Sequence, residues 1–234
     1  MRGSVWSRER PAAAPRETLS RGQIVQAAVE MLDADGLAGL SMRKLGAKLN
    51  AGTTSLYWHV QTKDDLLELV ADEVYSEIDV PEAEPAGWRS AVTLFAHSFR
   101  AAILRHPWFT EIATTTPSLG PNAIGLSGRL YGVLKAAGFT GLDVDMAMGV
   151  VITYVLGVTS AETSWRAAIA RSGQSMREWI DDATAQAAEV TRDNAEIQES
   201  LRARRGTDPE QLQERMFTFG LECMLDGLAA RVAT

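Results

Sequence analysis

"TTSLYWHVQTKDDLL", residues 53–67, sets two threonines, a serine, a tyrosine, a tryptophan and a histidine within seven residues, then meets a lysine and a new helix start. A core helix would hide its aromatic side chains and leave its hydroxyls in water. Here both kinds crowd together over two turns, with Leu56 as the one aliphatic anchor. That composition suits a short helix lying against a polar partner.

The preceding residues say which partner. Ser41 is placed to cap a short helix, Leu45 and Leu49 to face inward, and Asn50 to stop it in a left-handed conformation. With the next helix starting near Thr53, "SMRKLGAKLNAGTTSLYWHV" has helix-turn-helix spacing. In that motif the second helix enters the DNA major groove and its first turns meet base edges. Thr53, Thr54 and Ser55 are short enough to reach bases or phosphates, and Tyr57 and His59 can donate to phosphates. Arg43 and Lys63 add positive charge at two helix starts, whose N–H groups also bind phosphate.

On either side lie two more helices. Ser20 with Gln23 predicts a capping box, with Leu19 stapled on Ile24. Ile24, Ala27, Ala28, Met31 and Leu32 then share one helix face, and Gly36 ends the pattern. Thr62 with Asp65 opens a fourth helix, whose apolar stripe runs through Leu66, Leu67, Val70, Val74 and Ile78 before Pro81.

Beyond "DVPEAEPAGW" only helical periodicity continues: Trp88–Arg105, a short piece at 108–113, then 123–137, 144–171, one starting near Ser175, and a last one with Asp208 as N-cap and Pro209 at N1. No stretch alternates with period two, so the fold class is all-α. Residues 191–207 are polar and predict either a mobile loop or a frayed helix. The last helix carries two apolar rows: Leu212, Met216, Phe219 and Cys223, and Phe217, Leu221, Met224 and Leu228. The 144–171 helix is apolar over most of its circumference around 150–158. Helices apolar on two sides must bury both, which predicts a homodimer through the 144–171 and 208–232 helices.

Bulk properties agree with a globular protein of one large or two small domains: 234 residues, 46% hydrophobic and 23% charged. One cysteine, Cys223, excludes an intrachain disulfide and fits a reducing cytoplasm. The N-terminus has no apolar signal-peptide core, and the apolar run 146–158 is too short to span a bilayer, so a buried helix is expected there. Net charge is −7, but residues 1–63 hold nine basic against five acidic residues and the remainder fourteen against twenty-five. A mildly basic end on an acidic body suggests a polyanion partner at one end only. Residues 1–17 are expected to be disordered; Arg2, Arg8, Arg10 and Arg16 make them either a DNA-touching arm or a solvated tail.

"LSMRKLGAKLNAGTTSLYWHVQTKDDLLE" resembles the DNA-binding segment of the tetracycline-repressor (TetR) family. "SFRAAILRHPWFTEI", "PSLGPN" and "LKAAGF", followed by a long helix, resemble that family's regulatory domain more loosely. The resemblance implies a disordered tail (1–17), a helix-turn-helix head (18–64) and a helical ligand-binding and dimerisation domain (65–234), joined through the fourth helix. It places Arg43, Thr53, Thr54, Tyr57, Trp58, His59 and Lys63 at operator-contacting positions, with Trp58 able to give half its ring to the head core. Met42 stands where some members have a small polar contact.

The resemblance further implies a homodimer on a partly palindromic double-stranded operator, released when a small molecule binds the body and shifts the fourth helix. Ligand-facing candidates are Phe95, Phe99, Trp108, Phe109, Tyr131, Tyr154 and Trp165, with Asn122 and His97 as polar hooks; Phe99 aligns with a ligand-facing aromatic. His97 and His106 are otherwise expected at the surface or at helix ends. Tetracycline-responsive members hold a metal through a histidine where this chain has Ala113, so tetracycline–magnesium is not the expected effector and no metal or cofactor is expected; the abundant apolar and aromatic residues suggest a hydrophobic or aromatic ligand. Two other classes compete. A constitutive or architectural DNA-binding protein would lack a body cavity. An enzyme would need a motif such as H-E-x-x-H, G-x-S-x-G or a P-loop; the sequence has none, and Asp181 and Asp182 fit a solvated face.

Overall fold

The computed structural model describes residues 4, 6, 19–81, 87–204 and 206–232. Among them eleven helices form and no strand does, as the all-α reading requires. Arg2, Arg8, Arg10 and Arg16 of the expected N-terminal tail lie outside the described residues. Of that tail Ser4 and Trp6 are described: the Ser4 hydroxyl donates to Glu68, and Arg21 lies 5.9 Å over the Trp6 ring. The chain divides into two units, Met1–Leu156 and Gly157–Thr234.

In the first unit, α1 (Arg21–Gly39) opens with the capping box: Ser20 Oγ accepts from Gln23 N at 3.2 Å, and Gln23 Oε1 accepts from Ser20 N at 2.8 Å. Ile24, Ala28 and Leu32 bury one face. At Gly36 φ reaches 65°, a left-handed value that only glycine adopts without cost. The expected stop is therefore a kink, followed by one more helical turn to Gly39. α2 (Met42–Lys48) is capped by Ser41 Oγ, which accepts from Lys44 N at 3.2 Å. Asn50 takes φ 51° and turns the chain into α3 (Thr53–His59). Thr62 Oγ1 accepts from Asp65 N at 3.0 Å and starts α4 (Lys63–Ser76).

Along α4, Leu66, Leu69, Val70 and Val74 are buried. The helix packs on α1 at the head, and on α6 (Phe109–Ala113) and α7 (Pro121–Ala136) in the body. It is thus the shared wall of head and body. α5 (Trp88–Arg105) packs on α7 and buries Val92, Phe95, Ala96, Phe99 and Ile103.

α8 (Leu142–Ser172) has 31 residues, much longer than the uninterrupted apolar run within it. By length and composition it is long and apolar enough to cross a bilayer, yet Val144, Ala147, Val151, Val155 and Thr159 form a buried row, as on a helix packed against protein. The expectation of full burial does not hold within one chain. Only 28% of its apolar window is buried, while Leu142, Met146 and Val150 are exposed on another side.

In the second unit, α9 (Met176–Val190) starts with a reciprocal box between Ser175 and Glu178, which holds the Glu178 carboxyl below its usual range. Residues 191–207 contain a helix, α10 (Ala195–Arg204), capped by Asn194 Oδ1 accepting from Ile197 N at 3.0 Å. Asp208 Oδ1 accepts from Glu210 N and Gln211 N at 3.0 and 3.1 Å and caps α11 (Pro209–Val232). The two apolar rows of α11 separate as read from the sequence. Phe217, Leu221 and Leu228 are buried, whereas Met216, Phe219 and Cys223 are exposed.

Candidate functional site

α3 has seven residues and one buried side chain, Leu56. That anchor fixes the helix on the head and leaves the other faces to solvent: Thr54 and Ser55 are exposed, Thr53 and His59 half-buried, Tyr57 47% and Trp58 64% exposed. The Trp58 ring is thus mostly in water and does not divide itself into the head core. Arg43 is exposed on α2. Met42 is buried, so its side chain belongs to the head core. Lys63 Nζ donates to Leu37 O at 3.3 Å, which leaves two of its three protons for another acceptor.

The body contains a cavity of about 190 Å³. Phe95 and Phe99 of α5, Leu126 and Leu130 of α7, and Ile152 and Leu156 of α8 form most of its wall, with Ala113 and Ala123. Its hydroxyls are Ser127, Ser118 and Tyr75, the last contributed by α4. Tyr75 O–H pairs with Ser118 Oγ at 2.7 Å. Burial pushes the Tyr75 phenol above its ordinary pKa, with the nearby Asp72 charge adding to the rise and the Ser118 bond opposing it.

Of the aromatic residues singled out in the sequence, Phe95 and Phe99 meet at this cavity, 5.6 Å apart between ring centroids. Phe109 is fully buried behind them, edge-on to Phe99 at 6.1 Å and to Tyr75 at 5.1 Å. Tyr131 is 37% exposed, and Tyr154 is half-buried; neither lines the cavity. Trp165 lies in the second unit, edge-on to Trp179 at 5.1 Å. His97 is half-buried and outside the lining. Tyr75, Ser118, Ser127 and the aliphatic wall were missed. Only the stripe position of Tyr75, one residue after Val74, could have suggested it.

Two polar ties, also absent from the sequence reading, join α4 and the head to the body. Asp72, 4% exposed, accepts from Asn122 N at 3.3 Å and Ala123 N at 3.0 Å, capping α7 from another helix. Asn122 Nδ2 donates back to Asp72 O at 3.1 Å. Asn122 thus holds α4 and does not line the cavity. Gly120, the N-cap of α7, has no side chain to do this itself, and a Cβ there would stand 2.1 Å from Asp72 Oδ1.

The second tie centres on Asp33 of α1. Trp108 Nε1–H donates to Asp33 Oδ1 at 2.7 Å, and His106 Nδ1 lies 2.7 Å from the same oxygen. His106 Nε2 lies 3.1 Å from Glu77 Oε1 at the end of α4. His106 is the C-cap of α5, as a helix-end residue, but at 3% exposure it is not on the surface. Trp108, also 3% exposed, turns its polar edge to the head and not to the cavity.

A helix-turn-helix that turns its second helix outward, mounted through α4 on an all-helical body, defines a DNA-binding regulator. Residues 24–70 match the family described as bacterial regulatory proteins, tetR family, and residues 80–232 match the tetracyclin repressor-like C-terminal domain. The chain belongs to the tetR family of transcriptional regulators. An HTH-type transcriptional regulator of Saccharopolyspora erythraea is 45% identical over 164 residues, 70% of each chain. The HTH-type transcriptional repressor DrrR1 of Streptomyces coeruleorubidus is 32% identical over 225 residues, 96% of this chain and 82% of the relative. Among solved structures, Streptomyces coelicolor ActR in complex with actinorhodin superposes with a TM-score of 0.77 at 28% identity, covering 93% of this chain and all of that one.

Proposed function

We propose that the protein is a cytoplasmic homodimeric repressor that leaves a palindromic operator when a small hydrophobic molecule occupies the body cavity. The observation that carries this reading is that α4, which packs on the DNA head, also supplies Tyr75 to the cavity wall. A ligand that favours a different position of Tyr75 therefore favours a different position of the head. Ligand must then prefer the DNA-incompetent state, and DNA weakens ligand binding by the same factor. The head is residues 18–64 and the body 65–234. No metal enters, since Ala113 of the cavity wall offers no ligand. Catalysis has no part in this reading.

Thr53, Thr54, Tyr57, Trp58 and His59 meet the major groove, and Arg43 and Lys63 meet phosphates at its edges. Fluorescence anisotropy with DNA from upstream of the protein's own gene, against scrambled DNA, tests this. A specific excess of about 10³ or more is expected. Tyr57→Ala lowers the specific affinity alone. Lys63→Ala weakens binding to both DNAs and reduces the salt slope by about one unit. Equal, weak binding to both DNAs by the unaltered protein would overturn the reading.

The exposed rows of α8 and α11 are the dimer surface, each covered by a second copy. Phe219, 69% exposed, is the largest side chain on the α11 row. Phe219→Glu should yield monomers in sedimentation velocity and lose specific DNA binding, because two half-sites must be held one helical turn apart. A dimer that persists in this variant would move the interface elsewhere.

The cavity size favours a second reading, a regulator with no effector. Pockets for drug-sized ligands start near ~300 Å³, and this one is smaller. A body that takes up no small molecule, with intact operator binding, would establish that alternative.

A further inference from the structure

Resting on the ligand-released reading, we infer that the effector is a neutral aromatic molecule of one or two fused rings carrying a single hydroxyl or carbonyl oxygen, read by the Tyr75 and Ser118 hydroxyl pair. Size comes first. At about 190 Å³ the cavity exceeds the ~150 Å³ void that admits benzene and falls short of the volume that larger polycyclic ligands need. Shape comes next. Phe95 and Phe99, 39° apart in plane, share the lining with the branched aliphatic side chains Leu126, Leu130, Ile152 and Leu156, so a flat ring meets both aromatic and aliphatic surface.

Charge decides the class. Tyr75 is the only titratable group among the described lining residues, and a phenol is neutral at neutral pH. Ser118 is exposed at the mouth, but a carboxylate or ammonium placed deeper, among Phe95, Phe99, Leu126, Leu130, Ile152 and Leu156, would leave water without meeting a counter-charge, which is penalised in an apolar site. A single oxygen is accommodated. When two hydroxyls pair, the one that accepts keeps its own proton, so the pair still offers one donor and spare lone pairs. A phenol or ketone oxygen satisfies that remainder; a carboxylate would need more donors than the pair has.

The same pair is where occupancy is sensed. Tyr75 sits on α4, three residues after the Asp72 that caps α7, and Ser118 sits just before Gly120 at that cap. A ligand oxygen inserted between Tyr75 and Ser118 replaces one of two adjacent links between α4 and the α7 entry.

The test uses the full chain with three probes at neutral pH: 1-naphthol, naphthalene and the 1-naphthoate anion. Binding is measured by calorimetry, and DNA release by anisotropy. 1-Naphthol should bind at least about tenfold more tightly than 1-naphthoate. Tyr75→Phe should reduce the preference for naphthol over naphthalene to near one while naphthalene still binds, a split that a misfolded variant would not give. Equal or tighter binding of naphthoate overturns the assignment, as does no binding of any probe up to its solubility, or a preference that survives Tyr75→Phe. If naphthoate wins and also releases DNA, ligand release stands and the ligand class falls. If naphthol binds as expected and DNA stays bound, the class stands and ligand release falls.

Discussion

Asp72→Ala should cost about 2–3 kcal/mol of stability in urea unfolding, because it strands two N–H groups of the α7 first turn that this carboxylate accepts. A surface aspartate at the same helical position would cost a few tenths. Asp72→Asn keeps an acceptor and loses the negative charge at a helix N-terminus, so a smaller cost of about 1 kcal/mol is expected. Gly120→Ala should approach the alanine variant at position 72, since its Cβ would occupy the space of the Asp72 carboxylate. Combining Asp72→Ala with Gly120→Ala should then cost little more than either alone, as residues acting on one contact are not additive. Full additivity would show that the two positions act separately. In the anisotropy assay, loosening α4 from α7 should also flatten the response of DNA binding to effector.

Leu56→Ala should remove specific DNA binding by about 100-fold or more and destabilise the head by about 3 kcal/mol, the usual range for a fully buried leucine. Leu56 is the only side chain of α3 that the head encloses. Without it the helix has no fixed orientation in which to present its outer residues. The exposed Tyr57 separates the two effects. Tyr57→Ala should change thermal stability by less than about 0.5 kcal/mol while still lowering operator affinity. Thermal unfolding and anisotropy on the same samples distinguish them; normal DNA binding by Leu56→Ala would mean that α3 is held by something other than its anchor.

The helix starts were legible because their signals are local. Ser20 with Gln23, and Asp208 with Pro209, each lie within four residues of one another, and each cap forms as its spacing implies, while the helix expected to start near Ser175 does so. Asn194 carried the same kind of signal for α10, obscured by the polar composition around it. The ties between elements were not legible. Asp33 is 73 residues from His106 and 75 from Trp108, and nothing in a single sequence pairs them. Asp72, in a helix with acidic neighbours, looks like part of a solvated face until α7 is placed above it. The cavity lining was legible only at Phe95 and Phe99, for a related reason. Trp108 and Phe109 have the composition of a ligand site but are spent on Asp33 and on Tyr75 and Phe99. The aliphatic residues that do line the cavity have the spacing of any core helix.

The single anchor of α3 also bears on how such a protein diversifies. Most substitutions that disable a protein do so by unfolding it, so a surface can change quickly only where folding does not depend on it. Four of the seven α3 side chains, Thr54, Ser55, Tyr57 and Trp58, are exposed and meet that condition. On the proposed assignment, a duplicated gene could drift at Thr54, Ser55, Tyr57 and Trp58 to a new DNA sequence while the body cavity, lined chiefly from α4, α5, α7 and α8, stayed as it was. One chemical signal could in this way come to control additional genes through small changes confined to two helical turns.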